Sequence, residues 1–571
     1  MSIRTSDILP VKVVFPPVRM STLPVSTMVN GSRQMDHCPL CFQDGEFIMG
    51  KNPISEQWSK TIKSPQPAPP LLLKPLSRDR QLHVKNMRPL LLLLVIMLTI
   101  SACLPDDRLI TPTNSPPPSF PTPTSLAATP LPTRPAYRPG ELVDYIAQTG
   151  DNLPALAARF NTTVRQIRDA NPIIPEDATT MPHGMPMKIP IYYQPLWGSP
   201  YQIIPDSLFI NGPEQIGFDP VKYVNQHPGW LKNKVEYLAD KNRRGGEIIE
   251  YYATYYSISP RLLLALLEYQ TGALSNPLQE NPDNPYILGY RDTLRQGLAN
   301  QLIWAANTLN NGYYSWRSGK LKSIELKNRQ IEVIDPWQNA STAALRRYFS
   351  LVYESDQFHK AVSSEGLAKT YRILFGDPWL KVNPHIPVSL EQPPMRLPFD
   401  PGKTWAFTGG PHTGWGDGEP WAALDFAPPS VIGGCSPTKE WATAVADGLI
   451  VRTGSGIAVL DLDGDGDERT GWVVFYLHLA SEGMVPLGTR VKTGDPMGHP
   501  SCEGGRSTGT HVHIARKYNG EWILADGVLA FDLEGWKAKN GKEAYEGSLE
   551  KNGITVIAGR DQKSHIQSIL D

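Results

Sequence analysis

The chain has 571 residues, which is too long for one hydrophobic core and leaves room for about three or four domains. Its formal net charge of −1 and its pI near 6.9 provide no basic surplus, so we expect no nucleic-acid partner. Proline concentrates before residue 140, which indicates tails and linkers there and globular domains after them.

An apolar run in the first fifth of the chain has the anatomy of a signal peptide. The segment from Leu90 to Ile100 follows a basic residue and is short for a membrane span of about 20 residues. The motif Ile-Ser-Ala-Cys that ends at Cys103 resembles the lipobox of bacterial lipoproteins, which implies lipidation of that cysteine and a membrane anchor. We therefore expect a signal peptide over residues 87–103, preceded by a spurious or disordered extension over residues 1–86. An ordinary secretory signal is the alternative.

A compact α+β pattern follows a Pro/Thr/Ser-rich linker over residues 104–136. A short strand at Val143–Ile146, two amphipathic helices and a closing strand predict a small βααβ unit over residues 137–193. The segments TGDNLPALAARFNTTVRQIRDANP and MKIP resemble a LysM domain. The resemblance implies binding to the N-acetylglucosamine-containing glycan of peptidoglycan, whereas another small α+β module is the alternative.

Between residues 204 and 380 the apolar spacing becomes helical and predicts an all-α domain. The segment SPRLLLALLEYQTGAL resembles the helix that carries the catalytic glutamate of lysozyme-like lytic transglycosylases. Gln270 stands at the position of that glutamate, and Glu268 points about 200° away around the helix. Because glycoside cleavage needs a general acid, we predict a non-catalytic glycan-holding or spacing domain. The alternative is a bifunctional protein that also cleaves glycan.

Short strands separated by turns predict an all-β domain of antiparallel sheets over residues 399–535, followed by a C-terminal extension over residues 536–571. In TGTHVHIARK, strand alternation places His511 and His513 on one face. Asp425 lies in the apolar strand WAALDFAPP, where a buried carboxylate is costly unless it is paired or bound to a metal.

A third histidine is predicted to join the polar face of the same sheet. In GWVVFYLHL, alternation predicts one face with Val473, Phe475, Leu477 and Leu479, and the opposite face with Val474, Tyr476 and His478. We expect His478 to face the same site as His511 and His513.

These residues resemble the lysostaphin and β-lytic class of zinc metallopeptidases, through the His-x-His motif that ends at His513 and the Tyr-x-His-Leu motif around His478. Lysostaphin-like members usually place the first zinc-binding histidine four residues before the aspartate, a position that Trp421 occupies here. The β-lytic branch separates these two ligands by a loop. His412 precedes Asp425 across such a loop, in GGPHTGWGDGEPWAALDF, and fits that branch.

The resemblance implies one zinc ion per chain, bound by His412, Asp425 and His513 and leaving the fourth position to water. It also implies that His478 and His511 stay off the metal, where one of them activates the zinc-bound water and both can stabilise the oxyanion. Which of them is the base remains open. A purely structural zinc site is the alternative, although such sites usually take four protein ligands.

Two further features surround the predicted site. Cys435 and Cys502 flank it, and a disulfide between them is expected in a secreted domain. A second feature matches the start of an EF-hand calcium loop, with carboxylates at alternate positions: Asp461, Asp463, Asp465 and Asp467. Trp472 occupies the twelfth position instead of glutamate, so a calcium-binding loop and an acidic hairpin turn are equal alternatives.

Together these patterns predict a cell-wall-associated zinc metalloendopeptidase that hydrolyses peptide bonds in the stem peptides or cross-bridges of peptidoglycan and is targeted by its LysM domain. The predicted location is outside the cytoplasm, either lipid-anchored to the bacterial membrane or secreted into the cell wall. The alternative function is that of a catalytically inactive peptidoglycan-binding lipoprotein that regulates or scaffolds another wall hydrolase.

Overall fold

The computed structural model describes residues 134–192, 198–430, 432–559 and 564–568. The predicted signal peptide, Cys103 and most of the predicted linker lie outside the described residues. Within these ranges, no helix combines the length and the apolar character needed to span a membrane.

The first described region is the predicted βααβ unit. Its elements are β1 (Glu141–Ile146), α1 (Leu153–Arg159), α2 (Val164–Ala170) and β2 (Pro186–Ile191). The two strands pair antiparallel, and both helices begin at a side-chain cap: Asn152 accepts from the Ala155 N–H and Thr163 from the Gln166 N–H. The predicted order of elements is therefore present.

The middle region is helical, as predicted, but it also contains two small hairpins. Its helices are α3 (Pro220–Gln226), α4 (Gly245–Tyr256), α5 (Pro260–Thr271), α6 (Leu298–Arg317), α7 (Ala340–Val352), α8 (Ser355–Ala361) and α9 (Leu367–Phe375). The hairpins pair β3 (Val235–Leu238) with β4 (Lys241–Arg244) and β5 (Ser323–Glu325) with β6 (Ile331–Val333). Each of these strands has only three or four residues, too few to stand out as an alternating pattern beside the helices, which is why the all-α prediction missed them.

The C-terminal region is built of antiparallel strands, which confirms its predicted all-β character. The strands of the main sheet are β7 (Thr404–Thr413), β8 (Trp421–Ala427), β10 (Gly448–Gly454), β11 (Ile457–Asp461), β12 (Trp472–Leu477), β13 (Arg490–Val491), β15 (Val512–Tyr518), β16 (Glu521–Trp522) and β21 (His565–Gln567). They lie in the order β13-β10-β11-β12-β15-β8-β7-β21, with β16 paired to β15. A two-stranded sheet pairs β9 (Ala442–Thr443) with β14 (Pro496–Gly498).

The boundary predicted at residue 535 is wrong, because the segment after it belongs to the same β structure. A second sheet contains β17 (Asp532–Leu533), β18 (Trp536–Asn540), β19 (Gly547–Lys551) and β20 (Ile554–Ile557). Ala538, Leu549 and Val556 are buried in the core of the region, and β21 pairs with β7 in the main sheet. These strands have only two to five residues each, so their few inward-facing apolar residues do not stand out in the sequence.

The two faces of the main sheet pack in different cores. Val474, Tyr476 and Ile514 are buried on one face within the β region itself. Phe475 and Trp522 on the other face belong to the same apolar cluster as the helices of the middle region. The helical and β regions thus share a continuous hydrophobic core, and the histidine-rich end of the sheet lies beside their junction.

Candidate metal centre

Three neighbouring strands bring His412, Asp425 and His513 together. Asp425 on β8 lies directly opposite His513 on β15, and His412 lies near the end of β7, opposite Ala423. The pairing of β7 with β8 is irregular between Phe407 and Thr413, which lets His412 approach the other two residues. We name these three residues, His412, Asp425 and His513, the metal centre.

The ligand atoms of the metal centre form a small triangle. His412 Nε2 lies 3.0 Å from His513 Nδ1, and each nitrogen lies 3.3 Å from Asp425 Oδ1. Ligand atoms about 2.0–2.1 Å from a tetrahedral zinc ion are about 3.3–3.4 Å apart. The three residues are only 2%, 6% and 5% exposed, respectively. The triangle therefore has the size and the shielding of a three-ligand zinc site.

The hydrogen bonds of the two imidazoles decide which nitrogens carry protons. His412 Nδ1 lies 2.8 Å from the Gly410 carbonyl oxygen, and His513 Nε2 lies 3.3 Å from that of Gly414. Because a carbonyl only accepts, the neutral imidazoles donate there and leave lone pairs on the nitrogens that face each other. Two lone pairs and a carboxylate oxygen thus converge without an intervening proton, an arrangement that a cation stabilises.

The carboxylate of Asp425 supports the same conclusion. Its Oδ1 atom is buried and has no hydrogen-bond partner among the described residues, which is costly without a cation. Burial works to raise the pKa of Asp425. When the neighbouring imidazoles carry protons, His412 first and then His513 and His511 outweigh burial and hold this pKa well below its usual range. Asp425 is therefore ionised, and the donor set of two imidazoles and one carboxylate suits zinc.

His511 and His478 lie beside the metal centre and are oriented in the same way. The Nδ1 atoms of His511 and His478 each lie 2.8 Å from a carbonyl oxygen, that of Gly509 and that of Glu503, respectively. The two rings are 4.5 Å apart between centroids, and His511 Nε2 lies 3.7 Å from Asp425 Oδ1. Burial, followed by the neighbouring His511 and His513, lowers the pKa of His478 to about 4, so it is neutral near pH 7.

The structure brings His478 to the predicted site, but not by the predicted strand alternation. Strand β12 ends at Leu477, which pairs with His513, so alternation would put His478 on the opposite face. His478 instead adopts the left-handed conformation, with φ of +66°, and its ring lies beside that of His511. Leu479 packs in the core with Tyr476, so the predicted face of Leu479 is wrong as well.

The remaining predicted site residues lie around the metal centre or apart from it. Cys435 and Cys502 form a disulfide. The segment 461–467, which we name the acidic turn, joins β11 to β12. In it the ligand oxygens of Asp461, Asp463 and Asp465 lie within 4.8 Å of one another, whereas Asp467 forms an ion pair with Arg469.

Comparisons with known proteins find relatives for several regions of the chain. Residues 145–190 match the LysM domain family, and residues 202–389 match the family described as the N-terminal domain of LasA. Protease LasA of Pseudomonas aeruginosa is 26% identical over 344 residues, which are 57% of this chain and 75% of the relative. The β-lytic metalloendopeptidase of Lysobacter enzymogenes is 29% identical over 178 residues, which are 29% of this chain and 93% of the relative. The chain carries a LysM domain and a lysostaphin-type metallopeptidase domain.

Among solved structures, the metallopeptidase domain is similar to the M23 metalloprotease pseudoalterin. The two share 26% sequence identity over 30% of this chain and 97% of that chain, with a TM-score of 0.26.

The middle region contains the two residues that the sequence raised as candidates for a glycosidase acid. Residues 202–389 match the family described as the N-terminal domain of LasA, and the lysozyme-like interpretation of this region stays a prediction. Gln270 donates a hydrogen bond to the Tyr348 hydroxyl, and the Glu268 carboxylate accepts from the N–H groups of Leu274 and Ser275 after the end of α5. Gln270 is thus hydrogen-bonded at the position where the resembled enzymes carry their acid, and Glu268 binds the backbone that follows the helix.

Two features of the metallopeptidase domain could not be found from sequence motifs. The ring of Tyr545 stacks on that of His412, with centroids 4.1 Å apart and an interplanar angle of 21°. Burial, followed by Asp425 and Asp417, raises the pKa of Tyr545.

The second feature is the set of backbone carbonyls that orient the four imidazoles. Tyr545 falls in the segment predicted to be an extension, and backbone carbonyls leave no mark in a sequence.

Proposed function

We propose that the chain is a zinc metalloendopeptidase that hydrolyses peptide bonds of peptidoglycan. The observation that carries the proposal is the convergence of two unprotonated imidazole nitrogens and an unpartnered carboxylate oxygen in the metal centre. The similarity to relatives named protease and metalloendopeptidase supports peptide-bond hydrolysis. The LysM match supports peptidoglycan as the polymer that the chain binds.

In this proposal His412, Asp425 and His513 hold the zinc ion. Zinc held by these three residues would act as a Lewis acid and would lower the pKa of a bound water to about 7. His511 accepts the proton of the attacking water, because its Nδ1 lies against the Gly509 carbonyl and its Nε2 faces the metal centre. His478 stays neutral beside it, so it does not oppose the arrival of a proton on His511.

We also propose that the chain works outside the cytoplasm and is anchored by a lipid at Cys103. This proposal rests on the lipobox resemblance and on the LysM match. Cells fed with a labelled fatty acid should label the wild-type protein and leave Cys103→Ser unlabelled. Equal labelling of both proteins would contradict the lipidation site without affecting the proposal for the metal centre.

The experiment that tests the enzymatic proposal is digestion of purified peptidoglycan with zinc-loaded protein. Wild type, His412→Ala and His511→Ala are compared for bound zinc, released amines and released reducing sugars. We expect wild type to release amines without reducing sugars. We expect His412→Ala to lose zinc and activity, and His511→Ala to keep zinc while amine release falls about 10²–10⁴-fold, as for the loss of a general base.

The outcomes separate this proposal from its rivals. A wild-type protein that binds peptidoglycan but releases no amines, with or without added zinc, would favour the inactive wall-binding lipoprotein. Release of reducing sugars would indicate glycan cleavage. Equal zinc content in wild type and His412→Ala would contradict the proposed ligand set.

A further inference from the structure

A loop over residues 414–420, which we name the metal loop, connects β7 to β8 and contacts the metal centre. It begins two residues after His412. The carbonyl of Gly414, its first residue, accepts the hydrogen bond from His513 Nε2 at 3.3 Å. The Gly414 N–H donates to the Pro420 carbonyl at 3.0 Å and closes the base of the loop. The position of this loop therefore determines the orientation of one zinc-binding imidazole.

Two asparagines of α6, in the helical region, hold the far side of the metal loop. Asn307 Oδ1 accepts from the Asp417 N–H at 2.8 Å. Asn311 Oδ1 accepts from the Glu419 N–H at 2.7 Å, and Asn311 Nδ2 donates to the Asp417 carbonyl at 3.1 Å. The two asparagines are four residues apart and share one face of the helix. Three backbone groups of the loop are thus paired with helix side chains.

The glycines of the metal loop fit this contact closely. Gly416 and Gly418 adopt φ of +87° and +89°, a left-handed conformation that other residues rarely adopt. A Cβ atom at Gly416 would overlap the Asn307 carboxamide, and one at Gly418 would overlap that of Asn311. The sequence GWGDGEP therefore lets the backbone reach the two asparagines.

Two side-chain contacts join the same surfaces on either side of the asparagines. Tyr255 packs on Trp415, with ring centroids 4.9 Å apart. Lys320 Nζ lies 2.5 Å from Glu419 Oε1. The metal loop is therefore fixed to the helical region along most of its length.

We propose that Asn307 and Asn311 are positioning residues for the metal centre. They act through the metal loop, whose Gly414 carbonyl directs His513 Nδ1 toward His412 and Asp425. The inference rests on the proposed function, in which these three residues hold zinc. Partners that orient a metal ligand without touching the metal typically change affinity about 10–100-fold when they are removed. The helical region then contributes to zinc binding in addition to packing on the sheet.

The test compares full-length wild type with Asn311→Ala and with Asn307→Ala/Asn311→Ala. Asn300→Ala is the matched control, because Asn300 is an exposed asparagine of the same helix, and its amide donates to the Gln296 carbonyl just before that helix begins. Zinc affinity is measured by competition with a chelator, and ligand geometry is read from the visible spectrum of the cobalt(II)-loaded protein. We expect the double variant to bind zinc about tenfold more weakly with an altered cobalt spectrum, and the control to match wild type.

Several outcomes would overturn the inference. One is a folded double variant, by circular dichroism and thermal melting, that keeps the zinc affinity and the cobalt spectrum of wild type. Another is a rise in amine release at unchanged zinc affinity, which would show that the asparagines restrain the site. If the double variant does not fold, the zinc affinity and the cobalt spectrum of Asn311→Ala decide instead. Asn311 is only half-buried, so its replacement is expected to leave the protein folded. A wild-type protein that binds no zinc would refute the proposed function itself.

Discussion

The metal centre and the acidic turn each gather three potential ligand residues within 4.8 Å, yet they are built in opposite ways. The residues of the metal centre come from three strands, of which β7 and β8 are consecutive and β15 lies far along the chain, and all three residues are buried. The acidic turn takes Asp461, Asp463 and Asp465 from one short segment, and the last two are exposed. Proximity of acidic or imidazole groups alone therefore does not distinguish a metal site from an acidic turn.

Hydrogen bonding separates the two clusters more clearly. In the acidic turn, Asp461 accepts from the N–H groups of Gly464 and Gly466, and Asp463 and Asp465 each accept from a backbone N–H two residues later. Such bonds are typical of a hairpin turn stabilised by aspartates. In the metal centre, Asp425 Oδ1 has no such partner among the described residues, and two imidazole lone pairs face it. Buried lone pairs without donors are the signal that points to a cation.

The largest expected effect comes from removing the carboxylate of the metal centre, with the removal of one carboxylate from the acidic turn as the control. We expect Asp425→Ala to weaken zinc binding by more than about a hundredfold, because a direct ligand counts for more than its outer partners, whose loss costs about 10–100-fold. Asp463→Ala should leave zinc affinity at the wild-type value. Chelator competition measures both, and a comparable loss in the two variants would break the distinction between the clusters.

A smaller effect is expected from the ring that covers the metal centre. Tyr545 stacks on His412, and such aromatic pairs contribute about 0.5–1.5 kcal/mol. We expect Tyr545→Ala to weaken zinc binding about three- to tenfold, since each 1.4 kcal/mol is about a factor of ten. Tyr545→Phe keeps the stacked ring and serves as the control. If both variants bind zinc as wild type does, the ring does not position His412.

The smallest effect concerns the pH dependence of stability at the acidic turn. Burial, and then Asp463, raises the pKa of Asp461 to about 6, so the folded state holds a proton there that the unfolded chain releases near pH 4. The associated stability is present below about pH 4 and is lost as pH rises through about 6. Asp461→Asn cannot ionise and should therefore lose less stability between pH 4 and pH 7.

Thermal melting of both metal-free proteins at pH 4.5 and pH 7 measures this difference. Solvent screening reduces it, and we expect a change on the order of 1–2 °C in the wild-type-minus-variant difference between the two pH values. The same difference at both pH values would show that Asp461 does not hold the extra proton.

Local periodicity was sufficient to predict much of the fold. The βααβ unit follows from short strands and capped helices, and the shared face of His511 and His513 follows from strand alternation. The convergence of His412, Asp425 and His513 was expected from resemblance, and the pairing of β7, β8 and β15 brings them together. These predictions succeeded where the residues of one helix, one strand or one motif were sufficient to indicate the structure.

The features that could not be predicted depend on single backbone conformations or distant contacts. His478 reaches the site through one left-handed residue, whereas alternation alone would point it away. Tyr545 stacks on His412 across more than a hundred residues of sequence. The contact of Asn307 and Asn311 with the metal loop joins two regions that sequence patterns treat separately. No local pattern encodes these interactions.

The most direct test of the account is the coordination shell of zinc in the full-length protein, measured by X-ray absorption at the zinc edge. The account predicts four nitrogen or oxygen ligands at about 2.0–2.1 Å, two of them with the outer-shell scattering of imidazole rings. The Asp463→Ala variant should give the same spectrum as wild type. An all-oxygen shell without imidazole scattering would place zinc in the acidic turn and contradict the assignment of His412, Asp425 and His513 as its ligands.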